Sequence, residues 1–224
     1  MIKAYSTVLF DLDGTLTDSR EGVINCLRHA SGVMGFDMPD DPDRFLGPPL
    51  QWSFRNICGM DEERSAEAVR VFRERYSTIG LFENRVYDGI LEMLGRLREA
   101  GVSLHVATCK VDTYAVRIME RFGLMQYFGI IGGAGIDGTR AEKHEVIDWV
   151  LSEAGITDRS TVLMLGDRLN DIAGAHKAGI DCLGALWGYG SLEELVSGGA
   201  EYTAQTPQQA ADMIIAGRND SHVR

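Results

Sequence analysis

Residues 7–19 read TVLFDLDGTLTDS and decide the fold class of this chain. The run Thr7–Phe10 is apolar or β-branched, which is typical of a strand buried on both faces of a parallel sheet. Side chains alternate along an extended chain, so Asp11 and Asp13 should point to the same side. Gly14 then supplies a sharp turn that brings backbone close to a ligand. We therefore expect two carboxylates side by side at the end of a buried strand.

Short β-rich runs alternate with helical patterns in the residues after 82. With Thr7–Phe10, the predicted strands are Val102–Ala107, Phe128–Ile131, Thr161–Leu165 and Cys182–Leu186. The predicted helices are Gly89–Ala100, Asp112–Phe122 and Lys143–Ala154. A capping-box pattern of Ser191 with Glu194 predicts the start of a last pair of short helices. Alternation of this kind predicts a doubly wound, Rossmann-like α/β core built on a parallel sheet.

The segment between the first and second predicted strands breaks this alternation and contains only helical patterns. Its amphipathic stretches are Ser19–Val33, Leu50–Ile57 and Glu62–Ile79. We therefore predict a catalytic core formed by residues 1–17 and 82–224, and a small all-α cap formed by residues 18–81. Such an insertion would cover the carboxyl edge of the sheet, where open α/β sheets bind ligands.

Composition and charge argue against several classes of protein. The chain has 224 residues, of which 45% are hydrophobic and 25% charged, as is typical of a globular protein. A net charge of −11 argues against a nucleic-acid partner or an anionic membrane, since both attract positive surfaces. The four cysteines form no CxxC pair, and no stretch is as apolar and as long as a membrane span or a signal peptide requires. We expect a soluble, cytoplasmic protein with reduced thiols, and the sequence leaves monomer and homodimer both open.

Polar side chains also follow the second predicted strand, in HVATCK at 105–110. Thr108 offers a hydroxyl and a backbone N–H that could hold a phosphoryl oxygen, although a threonine at a strand end is often purely structural. Lys110 is a candidate substrate contact, with a solvated surface charge as the alternative. Cys109 lies between them, and no residue next to it in the sequence suggests an activating base, which disfavours a thiol nucleophile.

A lysine and two more aspartates occur where later elements should reach the same edge. Lys143 opens a helix, and we expect its ammonium to neutralise Asp11 and a transferring phosphoryl group. Asp167 ends the strand TVLMLGD, and Asp171 follows four residues later at a helix start. Because magnesium prefers one or two carboxylates, water and substrate phosphate, Asp11 and Asp167 predict a Mg²⁺ site. The Asp13 carbonyl and Asp171 would assist, with a helix cap or surface acid as the alternative for Asp171.

The motifs DLDGTLTDS, a strand-end Thr, a helix-start Lys and GDRLND occur in this order and together resemble the haloacid dehalogenase superfamily. The resemblance implies that Asp11 is phosphorylated and that Asp13 is the general acid and base. It further implies phosphate binding by Thr108, charge balance by Lys143, and a magnesium anchor at Asp167 and Asp171.

Three shorter stretches resemble particular subgroups of this superfamily. FLGPPL (45–50) is similar to the cap loop of phosphoglycolate phosphatase-like members, and VYDGI (86–90) and WGYGS (187–191) are similar to a 5'-nucleotidase subgroup. The predicted substrate-binding residues are Gly14, Cys109 and Lys110 in the core, and Gly47 and Pro48 in the cap, where a plain helix-entry loop is the alternative. Four cap side chains could contact the leaving group, with a solvated surface position as the alternative for each: Arg44, Gln51, Arg55 and Arg75.

These observations predict a magnesium-dependent phosphatase that hydrolyses a small phosphorylated metabolite through an aspartyl phosphate on Asp11. A phosphosugar mutase would keep every core motif and is an alternative. A phosphate-responsive binding protein without catalysis is an alternative from a different class. A receiver domain is disfavoured, because receivers are phosphorylated after a later strand and have no helical insertion.

Overall fold

The computed structural model describes residues 2–221, with side chains described up to residue 219. Met1 and residues 222–224, which the predicted core segments include, lie outside the described residues. The chain divides into two compact units. The core unit contains the residues up to Thr17 and from Val86 onward, and the helical unit is Asp18–Arg85.

A six-stranded parallel sheet forms the centre of the core unit. The strands of the chain are β1 (Thr7–Phe10), β2 (Thr17–Asp18), β3 (Arg85–Val86), β4 (Ser103–Val111), β5 (Ile131–Ala134), β6 (Val162–Gly166), β7 (Asp181–Ala185) and β8 (Tyr202–Ala204). The sheet order is β5-β4-β1-β6-β7-β8, while β2 and β3 form a separate pair. The chain therefore adds strands first to one side of β1 and then to the other, so the strand order reverses beside β1. Ligands of open α/β sheets bind at such a switch point.

Helices cover both faces of the sheet, which confirms the predicted doubly wound fold. The helices of the core unit are α4 (Ile90–Glu99), α5 (Asp112–Arg121), α6 (Lys143–Glu153), α7 (Leu169–Lys177), α8 (Leu192–Ser197) and α9 (Pro207–Ser221). Leu9 and Met164 of the sheet share one buried cluster with Val146 and Val150 of α6 and Ile172 of α7. This packing holds the first turns of α6 and α7 beside the sheet, where their polar residues take part in the candidate site.

The prediction of a strand at Phe128–Ile131 is wrong. Phe128 instead packs its ring edge-to-face against Phe10, with the ring centroids 5.6 Å apart. The strand is Ile131–Ala134, whose IGGA sequence has weak strand propensity. Gly133 explains this choice, since a Cβ at this position would lie 2.6 Å from both Asp112 Cα and Lys110 O. Close backbone approach, and not side-chain character, places this strand.

The second long strand extends beyond its predicted end. We expected it to stop at Ala107, but β4 continues to Val111, where it pairs with Ala134. The register against β5 shifts between Ala107 and Val111, as in a β-bulge. Such irregularities re-aim side chains next to active sites. Thr108–Lys110 lie in this irregular part of the strand.

Two smaller features of the core unit also differ from the prediction. The short strand β8 was not predicted, because three residues carry too little periodicity. Ser191 caps α8 by accepting a hydrogen bond from the Glu194 amide at 3.1 Å, as predicted. The reciprocal half of the capping box is wrong, because the Glu194 carboxylate accepts hydrogen bonds from Arg168 Nε and the Leu169 amide, both at 2.9 Å.

The helical unit contains α1 (Arg20–Met34), α2 (Leu50–Asn56) and α3 (Glu62–Arg75), close to their predicted bounds. Its core contains a series of contacting aromatic rings from Phe45, Phe54, Phe72 and Tyr76. Arg75 forms two hydrogen bonds to the Glu83 carboxylate, at 2.6 and 2.8 Å, so its guanidinium is committed within this unit. This pairing argues against a contact of Arg75 with a leaving group, which stays a prediction.

Among the described residues, no helix combines the length and the apolar character needed to cross a membrane.

We expect Gly133→Ala to lower the free energy of unfolding by about 1–3 kcal/mol, because the added methyl group would push β5 away from the Lys110–Asp112 backbone. Gly95→Ala in the middle of α4 is the matched control. A Cβ there meets nothing within 4 Å, so this change should stabilise the protein by about 0.5–1 kcal/mol. Urea unfolding of both variants measures the difference, and equal stabilities would contradict the close approach at β5.

Candidate active site

Asp11 and Asp167 follow two neighbouring parallel strands and meet at the same edge of the sheet. Asp11 comes directly after β1 and Asp167 directly after β6, with Phe10 and Leu165 in register. The Asp11 amide still donates to Leu165 O at 3.0 Å, so the pairing extends to the first aspartate. Oxygen atoms of Asp11, Asp167 and Asp171 lie within 4.8 Å of one another. Three carboxylates therefore converge where the strand order reverses.

Lys143 provides the fixed positive charge among these carboxylates. It is the first residue of α6, and its side chain is only 2% exposed. Its Nζ lies 2.8 Å from Asp11 Oδ1 and 2.8 Å from Asp171 Oδ1, and donates to Ala107 O at 3.0 Å. Burial alone would lower the pKa of Lys143, but the carboxylates of Asp11 and Asp171 outweigh it and raise this pKa well above its ordinary value. The surrounding carboxylates therefore favour the charged form of this lysine.

Asp167 is fully buried and held at both oxygens. Its Oδ1 accepts a hydrogen bond from Thr15 Oγ1 at 2.9 Å, and its Oδ2 accepts one from the Tyr189 amide at 2.9 Å. Burial, followed by the charges of Asp171 and Asp11, nevertheless raises the pKa of Asp167 well above its ordinary value. Two hydrogen bonds thus fix the orientation of this carboxylate without compensating its charge.

Asp171 orients the lysine and closes the turn at the start of α7. Its Oδ2 accepts hydrogen bonds from the amides of Asp167 and Arg168, both at 3.0 Å, and its Oδ1 faces Lys143. The side chain is 2% exposed, so the alternative of a surface acid is wrong. Burial raises the pKa of Asp171, and the adjacent Lys143 opposes this shift.

The residues at this edge fit a hard divalent cation. Three carboxylates converge around one ammonium, so a doubly charged ion would balance their formal charge. Carboxylate oxygens are the donors that magnesium prefers. Gly14 leaves space beside these carboxylates. It has a φ of +84°, and a Cβ at this position would occupy the space next to Asp167 Oδ2.

Asp13 has a different partner from the other aspartates. Its Oδ2 lies 2.6 Å from Lys110 Nζ, and the lysine side chain is only 8% exposed. The alternative of a solvated surface charge at Lys110 is therefore wrong. The other carboxylate oxygen, Oδ1, is buried and has no hydrogen-bond partner among the described residues. The predicted contact of Asp13 with a metal through its carbonyl stays a prediction.

Thr108 and Cys109 lie at the same edge, in the irregular part of β4. Thr108 is buried, and its hydroxyl accepts a hydrogen bond from the Lys110 amide at 3.2 Å. Cys109 Sγ accepts one from Asn170 Nδ2 at 3.4 Å. Burial raises the pKa of the Cys109 thiol despite the nearby Lys143, which argues for a neutral thiol and against a thiolate nucleophile.

The two cap residues predicted to bind substrate lie in the helical unit. Gly47 has a φ of +105° and precedes Pro48 in the segment between Phe45 and α2. Their contact with a substrate stays a prediction, as does the role of residues 18–81 as a cap.

The sequence did not single out three residues that contact the acidic edge. Thr15 binds Asp167 through its hydroxyl, Tyr189 binds it through its amide, and the indole of Trp187 donates to Thr15 O at 2.9 Å. Thr15 follows the Gly14 turn directly, which is the only local signal for its place. Trp187 and Tyr189 belong to WGYGS, which follows a predicted strand and was predicted only to resemble a subgroup, with no role for either residue.

The model of the haloacid dehalogenase-like hydrolases matches residues 8–185. The chain belongs to this family. A 5'-nucleotidase of Pseudomonas aeruginosa is 44% identical over 85% of this chain and 87% of its own length. A phosphoglycolate phosphatase of Agrobacterium fabrum is 30% identical over 81% of this chain and 80% of its own length.

Another relative and a solved structure extend the comparison. The tyrosine-protein kinase PtkA of Mycobacterium tuberculosis is 41% identical over 83% of this chain, which spans 64% of that protein. The crystal structure of a predicted phosphatase from Clostridium acetobutylicum superposes with a TM-score of 0.89, at 36% identity over 96% of this chain and 100% of that one. Together these matches confirm the predicted family, its fold and the assignment to phosphatase enzymes.

We expect Lys143→Met to lower the free energy of unfolding by about 3–5 kcal/mol, because it leaves Asp11 and Asp171 as buried charges without a partner. Urea unfolding in the presence of a chelator measures this loss. Lys177→Met is the control, since this lysine pairs with Glu142 at the surface and should cost far less. A Lys143 variant as stable as the control would contradict the bridging role of this ammonium.

Proposed function

We propose that this enzyme hydrolyses small phosphomonoesters with the help of Mg²⁺ and forms an aspartyl phosphate on Asp11. The observation that carries the proposal is the Lys143 ammonium, 2.8 Å from Asp11 and from Asp171, beside a third carboxylate at the switch point of the sheet. A fixed cation at this place would lower the repulsion between the Asp11 carboxylate and an incoming phosphate.

In the proposed reaction, an Asp11 oxygen attacks phosphorus and the bond to the leaving oxygen breaks. Asp13 lies two residues away with one oxygen free of hydrogen bonds, and gives a proton to the leaving group. It then takes a proton from a water molecule, which attacks phosphorus and releases Asp11. Lys143 holds the Asp11 carboxylate in place through both steps.

Magnesium would be held by Asp11 and Asp167, with Asp171 in the same cluster. When bound, the ion would supply positive charge against the carboxylates and the phosphoryl oxygens. The proposed phosphate contacts are Lys110, which pairs with Asp13, and Thr108, which accepts a hydrogen bond from the Lys110 amide.

Two substrate classes follow from the names of the relatives. A 5'-nucleotide is favoured by the 44% identical 5'-nucleotidase, and phosphoglycolate by the phosphoglycolate phosphatase at 30% identity. A second activity, phosphoryl transfer to tyrosine, is favoured by the 41% identity to PtkA. All three would use the same nucleophile. A phosphosugar mutase and a phosphate-responsive binding protein are the remaining alternatives.

We expect phosphate release from at least one member of a panel of 5'-nucleotides, phosphoglycolate and sugar phosphates in the presence of Mg²⁺, and loss of release with excess chelator. Incubation with ATP and a tyrosine peptide tests the kinase alternative. Conversion between sugar phosphate isomers without phosphate release would instead indicate a mutase. Turnover that survives the chelator would contradict the metal assignment.

We expect Asp11→Asn to reduce phosphate release to background, because an amide cannot form the aspartyl phosphate. Asp148→Asn is the matched control, since this aspartate pairs with Arg159 and lies outside the acidic cluster. Initial rates with the best substrate of the panel measure both. Near-normal turnover by Asp11→Asn would refute Asp11 as the nucleophile.

We expect Asp13→Asn to slow turnover by about 10²–10⁴-fold, the usual contribution of general acid–base catalysis. The loss should be largest for alkyl phosphates, whose leaving oxygen needs a proton, and smaller in the first step with p-nitrophenyl phosphate. Rapid-quench measurement of leaving-group release compares the two esters. An equal loss for both would argue against Asp13 as the proton donor.

A further inference from the structure

Three hydrogen bonds connect the Asp167 carboxylate with Thr15 and with the loop that contains Trp187 and Tyr189. The Trp187 indole donates to Thr15 O at 2.9 Å, and the Thr15 hydroxyl donates to Asp167 Oδ1 at 2.9 Å. The Tyr189 amide, two residues after Trp187, donates to Asp167 Oδ2 at 2.9 Å. The loop after β7 thus reaches both oxygens of this carboxylate, one directly and the other through Thr15.

The same loop lies against Asp167 along its backbone. A Cβ on Gly188 would collide with Gly14 O and with the Asp167 side chain, and one on Gly190 would collide with Asp167 O. Only a residue without a side chain allows this approach. The loop therefore lies between the turn at Gly14 and the end of β6, in direct contact with both.

We propose that Trp187 is a positioning residue that fixes Asp167 for cation binding through Thr15. The proposal rests on the divalent-cation site proposed above and adds a residue outside the segment 8–185 that the family model matches. Asp167 cannot be fixed by its charge alone, because it lies beside the like charges of Asp11 and Asp171. Hydrogen bonds to a metal-binding carboxylate hold it in the geometry that the ion requires.

Trp187→Phe keeps the aromatic ring and removes the N–H donor. We expect it to weaken Mg²⁺ binding by at least about tenfold, the low end of the range for losing a partner that orients a metal ligand. Isothermal titration calorimetry with Mg²⁺ and no substrate measures this affinity independently of turnover. A purely structural tryptophan would lower the melting temperature of the metal-free protein without changing the Mg²⁺ dissociation constant, and that result would overturn the proposal.

Trp149→Phe is the matched control for loss of an indole. Trp149 lies on α6, with the Arg140 guanidinium 4.8 Å from its ring centroid. Its Mg²⁺ affinity should equal that of the wild type. An equal loss in both variants would show that any missing indole weakens binding, which contradicts a specific role of Trp187.

Thr15→Val tests the path from Trp187 to Asp167. Valine keeps the shape of the buried threonine and removes the hydroxyl that Asp167 accepts from. If Trp187 acts through Thr15, the double variant Trp187→Phe/Thr15→Val should bind Mg²⁺ about as weakly as Thr15→Val alone, because the two changes are coupled. Additive losses in the double variant would show that Trp187 does not act through Thr15 and would overturn the proposal.

A measurement on the wild type covers the case in which Trp187→Phe does not fold. The indole N–H signals of Trp52, Trp149 and Trp187 are assigned in ¹H–¹⁵N spectra from the Trp52→Phe and Trp149→Phe variants. During a Mg²⁺ titration, the Trp187 signal should move and saturate at the calorimetric dissociation constant, while the other two stay in place. A Trp187 signal that does not move as the ion binds would contradict the proposal.

The two proposals fail in different ways. Absence of Mg²⁺ binding by the wild type would overturn both the cation site and the role of Trp187. Binding by the wild type and equal binding by Trp187→Phe would overturn the role of Trp187 alone.

Discussion

The structure of the core depends on the compensation of three carboxylates by one ammonium in a place that water hardly reaches. Asp11, Asp167 and Asp171 converge within 4.8 Å, and Lys143 is 2% exposed between two of them. Buried charges of one sign cost free energy unless a partner and hydrogen bonds compensate them. Backbone amides and Thr15 provide the hydrogen bonds, and Lys143 provides the partner. The repulsion that remains between the carboxylates favours the binding of a cation.

The elements around this edge are arranged to hold those charges. Parallel pairing of β1 with β6 brings Asp11 beside Asp167, and the packing of α6 against the sheet brings the first residue of the helix to the same place. Glycines let the backbone approach closely at Gly14, Gly133 and Gly188. The geometry of the site therefore depends on the sheet and on positions without side chains.

Two lysines contact different aspartates at this edge of the sheet. Lys143 serves Asp11 and Asp171, whereas Lys110 serves Asp13. Asp11 therefore shares its lysine with a second carboxylate, whereas the lysine beside Asp13 comes from β4. Asp11 and Asp13 thus have different neighbours, although the two residues are separated by a single leucine.

The sequence by itself determined the features that depend on local pattern. These are the strand before Asp11, the α/β alternation, the helical character of residues 18–81, and Asp11, Asp167 and Lys143 at element ends. The strand predicted at Phe128–Ile131 was wrong because packing overrides propensity there. Phe128 packs on Phe10, and the glycine-rich segment Ile131–Ala134 forms β5. Tertiary structure alone decided which side chains pair, since Trp187 and Thr15 are 172 residues apart, and Thr15 and Asp167 are 152 apart. Hydrogen bonds across such distances leave no periodicity in the chain, because they depend on how strands and loops meet in space.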